Sequence, residues 1–276
     1  MLGKLLKHEF RATGRIMLPV LGVLVILTLL FNLSVRFIET TDSTLLRVLF
    51  ILIIIAFVAG IIAAEIIALV LMINRFYKNL LGEEGYLMHT LPVNVHELVW
   101  SKIIVSFVWF LVTNLVILLL IGGSVLLLNG SDLAEIFRDF PAWSEIWAEL
   151  SRLDLYPRHF VLLGLEYLLI LIIGGVTACL HFYAAMAIGH IAANHKGLFS
   201  VLAFIGISMA FNILNGMFGA GNLENVETLF VSADTALATV RSLQAVLGAV
   251  TGWELLQAAL LYIATVLGLK KWLNLA

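Results

Sequence analysis

The chain has 276 residues, 62% of them hydrophobic and 12% charged, with a formal net charge of −2 and a mean hydropathy of +1.08. Soluble domains hold roughly 45 to 50% apolar residues, so this composition excludes an ordinary water-soluble domain and points to a polytopic membrane protein. The lone Cys179 lies inside an apolar run, which excludes a disulfide within the chain and a four-cysteine metal site.

The first sixteen residues place Lys4, Lys7, Arg11 and Arg15 at steps of 3, 4 and 4, while Leu2, Leu5, Leu6, Phe10 and Ile16 face the other way. At 100° per residue this is an amphipathic helix with one cationic stripe. It is expected to lie along the membrane surface over residues 1–15, with the four cations anchored on anionic lipid headgroups. No small-residue cleavage site follows, so a cleaved signal peptide is not expected. Six apolar runs come next, at 16–35, 46–74, 98–128, 160–188, 198–219 and 253–269. A span needs about 20 apolar residues, and lipid offers no partner to an open strand edge. The fold class expected is therefore all-α, a single integral membrane domain of six transmembrane helices over residues 1–276.

Three connections are long enough to hold structure. Residues 75–97 join spans two and three. In 129–159, Asn129-Gly130-Ser131-Asp132 ends span three, and Pro141 precedes an apolar stripe of Trp143, Ile146, Trp147 and Leu150, opposed by Glu145 and Glu149. This predicts a short interfacial helix with its indoles at headgroup depth. The last connection, 221–251, carries scattered Glu224, Glu227 and Asp234, and is expected to form short helices dipping into the outer leaflet. With the N-terminus inside, ten basic residues fall on the inner side and six on the outer. The bias predicts a multi-pass protein of the cell membrane with both termini cytoplasmic.

The segment Gly82-Glu83-Glu84-Gly85-Tyr86-Leu87-Met88-His89-Thr90-Leu91-Pro92 interrupts two of the most apolar runs in the chain. Gly82 and Gly85 break the helix, the two carboxylates stay in water, and Pro92 stops any short helix over 86–91. Asn94-Val95-His96-Glu97 then resembles a capping box restarting the helix toward Ser101-Lys102. An ordinary connecting loop and a rigid element presented to a partner both fit these residues. The runs Glu84-Gly85-Tyr86-Leu87 and Thr90-Leu91-Pro92-Val93, with Ser101-Lys102 entering a helix, resemble the cytoplasmic loop of ABC-2-type permeases, the membrane subunits of bacterial ABC exporters. The basic N-terminal helix, six spans and structured outer segment before span six extend the likeness over the whole chain.

That resemblance implies that Glu83, Glu84, Gly85, Tyr86, Leu87, Thr90, Leu91 and Pro92 form a coupling helix docking on an ABC ATPase subunit. It also implies a second permease copy, or a sister permease, beside this one. No G-x-x-x-x-G-K-[ST] motif occurs, so ATP and Mg are expected in the partner, with no cofactor in this chain and no enzymatic activity of its own. The inner turn 189–196 is a second, shorter candidate contact. Membrane lipid completes the expected partners; no basic-aromatic patch suggests nucleic acid.

Polar residues within spans are costly in hydrocarbon and mark packing contacts or a substrate path. Ser208, Asn212, Asn215 and Gly219 fall on one face of span five, and Ala56, Gly60, Ala64 and Ala68 form a small-residue seam on span two beside Glu65. Helix packing is the favoured role for both stripes. Glu65, Ser208, Asn212 and Asn215 are nonetheless the candidates for a path taken by a lipophilic or peptide-like substrate. Glu166, Glu254, Gln257 and Thr265 join them without distinction. Two alternatives remain open. One is an immunity or sensory membrane subunit without transport. The other is an intramembrane protease resembling the CAAX type, suggested by Glu83-Glu84 and by His190 with Asn194, although Met88 and His89 stand where that pattern expects arginine. Neither H-E-x-x-H nor any other metal-ligand spacing occurs, so no metal site is expected.

Overall fold

The computed structural model describes residues 2–82, 85, 93–138, 143–152, 157–192, 194–231 and 236–271. Among these residues the only regular secondary structure is helix, with no strand. The elements are α1 (Leu2–Ile38), α2 (Thr44–Phe76) followed by a π-helical turn (Tyr77–Leu81), α3 (Val95–Arg138), α4 (Trp143–Arg152), α5 (Pro157–Gly189), α6 (Lys196–Val231) and α7 (Ala236–Lys271). Six segments are long and apolar enough to cross a membrane: Leu2–Ile38, Thr44–Leu81, Val95–Gly130, Arg158–Gly189, Lys196–Met217 and Leu237–Lys270. Side chains such as Leu18, Leu29, Ile55, Leu118 and Leu119 are more than half exposed along these spans. In water such a surface would drive aggregation; in a bilayer it is the lipid-facing side of an all-α integral membrane protein.

Contacts gather the chain into two compact units, 1–76 with 97–140, and 77–96 with 141–276. In the first, α1 packs along α2, and Leu21, Leu24 and Ala64 make a buried centre covered by Val20, Ile61, Trp109, Val112 and Val116. The second is built on α5, which packs against both α6 and α7. Two glycines set its spacing. A Cβ on Gly189 would stand 2.4 Å from the Ser200 backbone, and one on Gly268 would stand 2.8 Å from the Ala187 Cβ. Only glycine lets these helices approach so closely.

Three elements differ from expectation. The amphipathic N-terminal segment is not a separate surface helix but the first turns of α1, which runs on unbroken into the span. Gly14 weakens the helix here, yet Thr13 and Gly14 are held against Trp109: the indole Nε1 donates to Thr13 Oγ1 at 2.7 Å. The described residues of 221–251 belong to two long helices and not to a set of short ones; α6 extends to Val231 and α7 starts at Ala236. The π turn ending α2 was not expected. It is closed by the Gly82 N–H donating to the Tyr77 carbonyl at 2.7 Å, the i to i+5 bond of a π-helix. At two further elements expectation and structure agree. α3 is interrupted at Asn129, whose φ of −120° and ψ of 24° are non-helical, and the short amphipathic helix after Pro141 is α4, with Trp147 set edge-on against Phe160 at 6.2 Å.

Candidate functional site

Of the residues expected to dock on a partner, Glu83, Glu84, Tyr86, Leu87, Thr90, Leu91 and Pro92 lie outside the described residues; Gly85 is described, its N–H donating to the Gly82 carbonyl at 2.8 Å. The described residues on either side show how the segment is held. On its N-terminal side the Tyr77 ring meets the His190 ring edge-on, at 5.2 Å, where α5 ends. On its C-terminal side His96, at the start of α3, lies between two groups of α7. Lys270 Nζ approaches His96 Nε2 at 3.2 Å and Tyr262 Oη lies 2.6 Å from Nδ1. An ammonium only donates, so Nε2 accepts from Lys270 and the Nδ1 proton goes to the tyrosine oxygen. Within this unit, the described residues at the two ends of segment 77–96 thus contact the C-terminal ends of α5 and α7.

His190 is 1% exposed. Its Nδ1 lies 3.1 Å from the Met186 carbonyl and donates to it. Burial pushes its pKa below the ordinary imidazole value and the Lys196 charge pushes the same way, while the bond to Met186 opposes them. The ring is therefore neutral at physiological pH. The following turn is tight: His195, just before α6, holds a left-handed backbone at φ 54°. His190 directly follows the last residue of α5 and Asn194 lies in the turn before α6, so H-x-x-x-N is not displayed on one helical face.

The other expected site residues fall in two groups. Lys4, Lys7, Arg11 and Arg15 are all exposed on α1, as their stripe requires. Of the path candidates, Ser208 Oγ sits 2.9 Å from His181 Nε2 on α5. Asn215 Oδ1 accepts from Trp253 Nε1 and, at 3.2 Å, from Gln257 Nε2 on α7. Both residues thus join α6 to its neighbours, and only Asn212 bonds within its own helix, to the Ser208 carbonyl. Glu65 is different: Oε1 is buried without a hydrogen-bond partner. Glu65 belongs to the first unit and the three α6 residues to the second.

A buried ion pair was not anticipated. Lys102 Nζ lies 2.6 Å from Glu9 Oε1, with both side chains almost sealed from solvent. The pair borders a small cavity of about 20 Å³, room for about one water, shared with Thr13, Arg75, Ser106 and Trp109. The sequence did hold a signal. On the α1 wheel Glu9 falls at the centre of the apolar stripe, between Leu2, Leu5 and Leu6, where a carboxylate demands a partner. Among the described residues no group of three or more His, Cys, Asp or Glu could hold a metal ion. No protein-family model matches the chain, and no curated protein or solved structure is detectably similar to it.

Proposed function

We propose that the chain is the membrane-spanning subunit of an ABC-2-type exporter, passing a lipophilic or peptide-like substrate out of the cell with energy from a separate ATPase. The observation that carries the reading is the attachment of segment 77–96 at both ends, by Tyr77 to His190 and by His96 to Tyr262 and Lys270. A loop whose only duty was to join two spans would not need either tie. A loop that receives a push from a partner must pass it on, and here it would pass to α5 and α7. Glu83 and Glu84 keep the intervening residues in water, and Tyr86, Leu87 and Leu91 supply apolar surface for the partner to bury. On this reading the segment faces the cytoplasm, as do both termini, and two permease chains enclose the path.

The test is gentle purification of the full chain from its native host, with every accompanying polypeptide identified and ATP hydrolysis assayed. The wild type should travel with an ATPase carrying a phosphate-cradling loop. Glu83→Lys with Glu84→Lys should release that ATPase, or leave it hydrolysing without transport, while the permease stays folded. If no ATPase accompanies the wild type, or if the double variant transports normally, the proposal fails.

A further inference from the structure

We propose that the cavity beside the Glu9–Lys102 pair binds a single halide ion, such as chloride, which bridges Arg75 on α2 to Lys102 on α3. The cavity has a volume of about 20 Å³ and lies wholly within the first unit, where α1 begins, α2 ends and α3 begins. Its size excludes most ligands. A water needs about 10 to 15 Å³ of such space, so one atom somewhat larger than a water oxygen fits. A phosphate, a carboxylate or a lipid headgroup does not.

Charge separates an ion from a water. The charged side chains lining the cavity are Glu9, Lys102 and Arg75, which sum to one positive charge. Glu9 is committed to Lys102, 2.6 Å away in nearly complete burial. Arg75 is half-buried and makes no hydrogen bond or ion pair among the described residues. Glu65 and Glu97, the next carboxylates along α2 and α3, do not line the space. An uncompensated charge in such surroundings is costly. One bound anion brings the cluster to two positive and two negative charges.

The walls favour a halide. The neutral donors are already engaged in part: the Trp109 indole donates to Thr13 Oγ1 at 2.7 Å, and the Thr13 hydroxyl donates to the Glu9 carbonyl at 2.8 Å. What remains to be satisfied is the Arg75 guanidinium, five donors and no acceptor. The rest of the lining is apolar, with Met17, Leu71, Met72 and Val105. A buried water needs two to four polar partners, whereas a halide takes donors on one side and rests its other side against hydrocarbon and polarisable thioethers. Glu9–Lys102 and Thr13–Trp109 already tie α1 to α3. The ion extends that tie to α2, which makes it a structural ligand of this three-helix unit. The site does not depend on the proposed transport function.

The experiment uses the full chain in detergent, with sodium gluconate exchanged stepwise for sodium chloride at constant ionic strength. Stability is read as Tm and binding as broadening of the chloride NMR line. In the wild type Tm should rise by about 3 °C for each tenfold increase in chloride once the site fills, and bromide should displace the broadening. Gluconate, too large to enter, should give neither effect. Arg75→Gln should lose both the rise and the broadening. Lys78→Gln, which removes an exposed cation of the neighbouring π turn, should keep both. The proposal is overturned if wild-type Tm is the same in chloride and gluconate, which would leave the cavity to water. It is equally overturned if Arg75→Gln keeps the rise, or if Lys78→Gln loses it to the same extent, the mark of diffuse surface charge. Should Arg75→Gln fail to fold, the wild type still decides, since chloride broadening displaced by bromide is required of it.

Discussion

At the scale of single residues, the cost of burying charge decides what each group does. Glu9 and Lys102 pair at 2.6 Å in nearly complete burial, and removing one partner of such a pair costs about 3 to 5 kcal/mol because the other charge is left uncompensated. Lys102→Met should therefore cost about 3 kcal/mol or more in denaturant unfolding in detergent, while Glu9→Leu combined with Lys102→Met should recover most of that loss. A double variant as unstable as the single one would show that the ion pair does not explain the cost. His190 gives a prediction in pH. Its folded pKa is lowered, chiefly by burial, against about 6.5 in the unfolded chain. Between those two values the unfolded state binds more protons, so stability is complete above about pH 6.5 and is lost as pH falls toward the folded value. Protonation would also set a second positive charge beside Lys196. Tm should drop between pH 7 and pH 5, and His190→Gln should flatten that slope; an equal slope in the variant would remove His190 from the account.

At the scale of elements, breakers and close approaches decide where each helix runs. The six spans and α4 were legible in the sequence because apolar periodicity and length report directly on burial in lipid. The division of residues 1–15 from span one was not. Amphipathicity describes faces, and says nothing of whether the axis bends; Trp109 and Lys102 on α3 hold the first turns of α1 instead. The π turn escaped for a related reason, since its i to i+5 bond depends on a single extra residue and leaves no periodic trace. The α5–α6 turn offers the sharpest test of packing. A methyl on Gly189 would meet the Ser200 backbone at 2.4 Å, which no rotamer change can relieve. Gly189→Ala should destabilise the protein by about 1 to 3 kcal/mol, the range for overpacking, whereas Gly174→Ala, with nothing within 4 Å, should stay near wild type. Equal Tm values for the two variants would contradict this account of the approach.

At the scale of the whole molecule, polar side chains report on connection between helices more than on a path through them. Ser208 and Asn215 lay on a face that sequence alone left open to packing or substrate, and each bonds to a neighbouring helix. Glu65 instead keeps a buried oxygen unpartnered. The ties on segment 77–96 were illegible because Tyr77, His96, His190, Tyr262 and Lys270 are scattered over nearly 200 positions, and only the fold assembles them. Their proposed role yields a prediction that separates docking from coupling. His96 lies beyond the segment expected to meet an ATPase and meets Tyr262 at 2.6 Å and Lys270 at 3.2 Å on α7. If the segment passes force to α7 through this histidine, His96→Ala should leave ATPase binding and hydrolysis intact while lowering transport per ATP. Two hydrogen bonds at about 1 kcal/mol each correspond to roughly a tenfold loss or more, since about 1.4 kcal/mol is a factor of ten. Loss of the ATPase itself would make His96 part of the docking surface. An unchanged ratio of transport to hydrolysis would mean that α7 is not moved through this contact, leaving Tyr77 and His190 as the route by which a push reaches α5.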